Sequence, residues 1–116
     1  MRATMRADLT AAIKSRDRVA MTALRSALAA IENAEAISSD QQSVTTEDGA
    51  QVAKAALGVG AAEAQRRQLT EAELETIVQS EVDERSRAAA EYERHGRAEH
   101  ATKLRGESDV LSRYLG

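Results

Sequence analysis

The chain has 116 residues and a formal net charge of −3, with no proline, cysteine, phenylalanine or tryptophan. Its length suits one domain with a modest core, its charge is no overall basic footprint for nucleic acid, and the missing thiols exclude disulfides, thiol catalysis and thiolate metal sites. There is no apolar run of membrane-spanning length and no continuous apolar leader segment, so a cytoplasmic protein without membrane contact is expected.

Abundant alanine and the lack of β-branched runs predict an all-α fold. The reading is a small helical bundle with a long C-terminal antiparallel helical hairpin, in a single domain over residues 1–116. A first helix is expected over about 2–15, with Met5, Leu9, Ala12 and Ile13 on one face. Asp17 is the expected N-cap of a second helix over 17–36, although one bent helix through Arg16 is an alternative. Met21, Leu24, Leu28 and Ile31 form its stripe, widened by Ala20, Ala23, Ala27 and Ala30.

The run Ser38-Ser39-Asp40-Gln41-Gln42-Ser43 reads as a loop by composition. Beyond it the pattern weakens. Gly58 and Gly60 interrupt an alanine-rich stretch, and a short helix is expected only near 61–68.

The hairpin follows, with arms over 70–95 and 97–115. Thr70 and Glu73 have the spacing of a capping box. Leu74, Ile77, Val78, Val82, Arg85, Ala89 and Tyr92 recur at steps of three and four, so they share a face. Gly96 can take the left-handed conformation that ends a helix. Ala101, Leu104, Ser108, Leu111 and Leu115 repeat the spacing on the second arm, with Val110 and Tyr114 beside them. Gly106 is a local weakness of about 1 kcal/mol relative to alanine.

Catalytic and metal chemistry find little footing in these residues. Glu91, His95 and Glu99 fall at i, i+4 and i+8, but Gly96 breaks the helix that would align them. The carboxylates from Glu71 to Glu93 fit a wet helix face paired with Arg85, Arg87 and Arg94 better than a pocket that tunes an acid. Gly58-Val59-Gly60 lacks the strand, third glycine and lysine of a nucleotide loop. No catalytic residue, cofactor or metal ligand is assigned.

Arginine forks suit phosphate and carboxylate recognition, so the cations are the candidate binding residues. Arg16, Arg18 and Arg25 cluster on the first helical region, and Arg66 and Arg67 precede the hairpin. Arg94, Arg97 and Lys103 flank its corner, as does Arg105. Tyr92 and Tyr114 are read as helix-packing residues rather than base-stacking platforms.

The stretches Leu69-Thr70-Glu71-Ala72-Glu73-Leu74, Glu81-Val82-Asp83-Glu84-Arg85, Tyr92 with His95-Gly96-Arg97, and Lys103, Glu107, Val110-Leu111 and Tyr114-Leu115 carry a likeness in their order and spacing. Taken together, they resemble the YqeY-like proteins, which are related to the C-terminal region of the B subunit of aspartyl/glutamyl-tRNA amidotransferase. The N-terminal stretches Asp8-Leu9, Lys14-Ser15-Arg16-Asp17, Leu24-Arg25 and Ile31-Glu32-Asn33-Ala34-Glu35 are similar too, which leaves about 38–64 outside the likeness. The resemblance implies a short form of the helical domain, with Gly116 where the family continues through a proline into a tail bundle. It also implies a carbon–nitrogen ligase label with glutamine as amide donor. The amidase, nucleotide and metal sites of that reaction lie in other parts of the parent enzyme, so this chain is not expected to be an enzyme by itself. The implied partners are tRNA, or proteins of the amidotransferase and aminoacyl-tRNA synthetase machinery. A structural or protein-interaction module without an RNA role, including a homodimer, is the alternative.

Overall fold

A computed structural model of the chain describes residues 1–45 and 68–116, with side chains for 1–37 and 68–116. Among these residues the structure is all-α, with four helices: α1 (Arg2–Ser15), α2 (Arg18–Thr45), α3 (Glu71–Arg94) and α4 (Ala98–Ser112). Two compact units divide it. One combines Met1–Ala30 with Thr70–Gly116, and the other is Ile31–Leu69.

In the first unit, α1 and α2 are separate helices, not one bent rod. Arg16 takes a left-handed conformation, φ 59° and ψ 36°. The Arg16 amide then donates to the Ile13 carbonyl, and the Asp17 amide to that of Ala12, which satisfies two carbonyls at the end of α1. Asp17 starts α2 by accepting from the Ala20 amide at 3.1 Å. At the start of α3 the Thr70 hydroxyl accepts from the Glu73 amide at 3.1 Å. The Glu73 carboxylate accepts in return from the Thr70 amide at 3.0 Å, which completes the capping box.

The core of this unit is aliphatic and rich in small residues. Met5, Ala23, Leu24, Ala27, Val78, Ala89, Ala101 and Leu111 are all at most 1% exposed. Small side chains let helices approach closely, and Gly106 marks such an approach. A Cβ there would lie 3.1 Å from Cγ1 of Val19, so the gap in helix propensity has a packing cause. Arg85 pairs with Glu107, Ser86 with Ser108 and Glu93 with Arg105, so α3 and α4 pack along each other. In the second unit Ile31, Glu35 and Leu69 are buried, while Ile37 is 46% exposed.

Three sequence expectations need comment. The second helix was expected to stop at 36, with a loop over 38–43, but α2 continues to Thr45. Serine, aspartate and glutamine cost a helix only tenths of a kcal/mol each, and no glycine or proline interrupts that stretch. Ile13, placed on the buried face of α1, is 46% exposed. It lies about 80° around the helix from Met5, whereas the buried Ala12 lies within about 20°. The helix expected over 61–68 falls outside the described residues except for Gln68, which is not helical.

Candidate functional site

The α3–α4 corner is built by the same capping logic as the α1–α2 turn. His95 closes α3, and Gly96 follows at φ +74°. The Gly96 amide donates to the Glu93 carbonyl at 3.1 Å, and the Arg97 amide to the Tyr92 carbonyl at 2.8 Å. Arg97 is the N-cap of α4 but makes no side-chain capping bond, so its guanidinium stays available to solvent. Residues 93–100 are all exposed, and so is Lys103.

The charges at the corner fall into paired and unpaired groups. Arg94 bonds the Glu91 carboxylate, and His95 Nε2 lies 3.3 Å from the other oxygen of the same group. The Arg94 hydrogen bond, followed by that of His95, holds the Glu91 carboxyl below the ordinary glutamate range. Arg105 bonds Glu93 across the two helices. This bond holds Glu93 below its ordinary range and raises the Arg105 guanidinium above its own. Arg97 and Lys103 have no such partner among the described residues. The rings of Tyr92 and His100 stack across the corner, with centroids 4.2 Å apart and planes 29° apart.

Of the sequence candidates, Arg94, Arg97 and Lys103 gather at this corner. Arg16, Arg18 and Arg25 belong to the α1–α2 turn and the first turns of α2, and all three are exposed. The candidates therefore form two groups, one at each interhelical turn of the first unit. Arg66 and Arg67 lie outside the described residues.

Sequence reading missed two polar arrangements. The first is internal. Arg85 Nη1 donates to Glu81 Oε1 at 3.0 Å, while its Nε donates to Glu107 Oε1 at 2.9 Å. Ser26 on α2 donates to the same Glu81 oxygen at 3.0 Å. The side chains of Glu81, Arg85 and Glu107 are 15%, 11% and 13% exposed, so three helices are tied through a largely desolvated network. Its signal was Arg85 itself, a charge standing in an apolar stripe. The second is the Tyr92–His100 stack, which had no signal because a glycine turn separates the two positions. No buried side-chain nitrogen or oxygen lacks a partner among the described residues, and no three of their His, Asp and Glu side chains could hold a metal.

No helix among the described residues is long and apolar enough to cross a membrane. The arrangement offers forks, a ring stack and exposed cations, which are tools of recognition.

Comparison with curated proteins gave no match, and neither did comparison with solved structures. A family model described as Yqey-like protein matches residues 50–116, a span that includes α3, α4 and their corner. It excludes the α1–α2 turn with Arg16, Arg18 and Arg25, and it includes residues 50–64, which the sequence resemblance had left aside. Since the match covers more than half of the sequence, the chain belongs to the YqeY-like family.

Proposed function

We propose that this small helical protein is a non-catalytic docking module related to the B subunit of tRNA-dependent amidotransferase, and that it binds tRNA through the α3–α4 corner. The observation that carries the reading is the division of charge there. Arg94 and Arg105 are engaged by Glu91 and Glu93, and they neutralise those carboxylates. Arg97 and Lys103 are exposed and have no ion-pair partner among the described residues, so a phosphate need displace none of those to reach them. Family membership supports the choice of tRNA over other polyanions, because the wider family includes a tRNA-dependent enzyme.

The test is a titration of the full chain with total tRNA at low and moderate salt. Each phosphate contact adds roughly 0.7–0.9 to the slope of log affinity against log salt. The double variant R97A/K103A is expected to bind more weakly and to lower that slope by about two contacts. Unchanged affinity in the variant would remove the corner as the site. Failure of the wild type to bind at low salt, with a dimer seen in light scattering, would replace the RNA reading with a protein-interaction module.

A further inference from the structure

The ring stack adds a different chemistry to the same corner. Tyr92 is half-buried on α3, while His100 is exposed on the first turn of α4. With Tyr92 against one face of the imidazole, the exposure of His100 belongs to the remainder of its ring. Arg97 and Lys103 lie three residues before and after His100, so all three fall along one side of α4. At 1.5 Å per residue the two cations are separated by about 9 Å along the helix axis, with the ring between them. A planar ring bracketed by two unpaired cations matches a nucleotide chain, in which a base face alternates with phosphates.

We infer that His100, backed by Tyr92, stacks on an unpaired nucleobase while Arg97 and Lys103 hold the flanking phosphates. This rests on the RNA-docking reading and narrows it to single-stranded segments, because the base faces inside a duplex already stack on one another. Glu99 is the exposed carboxylate beside His100, and it disfavours a more extensive phosphate track on that side. Contact is thereby confined to one base and its neighbours.

The experiment is fluorescence anisotropy of the full chain with a labelled single-stranded RNA octamer and with a duplex of the same length. Wild type is compared with H100A, H100F and R97A/K103A, and each variant is checked for native helicity by circular dichroism. Stacking by one ring predicts that H100A loses roughly tenfold in affinity for the single strand and nothing for the duplex. H100F, which keeps a ring, is expected to restore the single-strand affinity. Unchanged single-strand binding by H100A, or an equal loss on both RNAs, overturns the stacking role. Equal wild-type affinity for the two forms, lost only in R97A/K103A, overturns stacking and leaves phosphate docking in place. Binding to neither form at low salt overturns both.

Discussion

The two interhelical turns of the first unit solve one backbone problem with different residues. Each requires a left-handed residue after the last helical turn. Gly96 supplies it at one and Arg16 at the other, where φ is 59°. An L-residue in that region costs about 1 kcal/mol, because its Cβ approaches the next carbonyl. Glycine gives back about 0.5 kcal/mol through its greater freedom in the unfolded chain, so Arg16→Gly is expected to stabilise the protein by roughly 0.5 kcal/mol. Gly96→Ala is the mirror experiment. A Cβ there meets nothing within 4 Å, so the same backbone balance applies in reverse and a net cost of about 0.5 kcal/mol is expected. Urea midpoints of the two variants, moving in opposite directions, check the account; a lower midpoint for Arg16→Gly would mean that its side chain stabilises the fold. The glycine corner was legible because glycine is the ordinary occupant of that conformation. Asp17 likewise announced the start of α2, but nothing in the sequence showed that Arg16 would adopt the left-handed state.

Among the helices, α3 carries the most information. Its stripe placed Leu74, Val78, Val82 and Ala89, and all four are buried. Arg85 stood in the same stripe, yet pattern alone also allowed it an ordinary exposed i,i+4 pairing. Only the approach of α4 supplies Glu107, and only α2 supplies Ser26, so the network is a tertiary fact that no local period could reveal. The extension of α2 beyond 36 was hidden for the opposite reason. Polar composition was read as loop, although it weakens a helix only slightly. Arg85→Ala would leave two carboxylates facing each other in a largely dry place. A loss of about 3 kcal/mol is expected by analogy with other broken interior ion pairs. Arg85→Met should cost less, because its stem preserves the packing that the arginine stem provides. Denaturant unfolding of both variants measures the difference. Equal and small losses would show that water screens the network.

At the scale of the whole first unit, the sequence termini of that unit are joined by one polar contact. Tyr114, just beyond α4, donates its phenolic proton to the Asp8 carboxylate on α1. Burial of the ring, and then the bond to Asp8, raises the Tyr114 pKa far above the usual phenol value of 10.0. The sign of the resulting pH effect follows from linkage. A raised folded-state pKa means that the native protein keeps the phenolic proton after the unfolded chain has begun to lose it. The contribution is therefore fully present below about pH 10 and falls as pH rises through the interval between the two values. Tyr114→Phe removes the titrating group along with the hydrogen bond. At pH 8 the variant should be less stable by about 1 kcal/mol, the usual net worth of one such bond. Between pH 10 and 11 the gap should narrow, because only the wild type has a phenol to ionise. Urea denaturation at the two pH values reads the gap directly, and other alkaline titrations cancel because both proteins share them. A gap that stays constant would mean that Tyr114 ionises equally in the folded and unfolded chains. The contact with Asp8 would then not be what closes α1 against the end of the bundle.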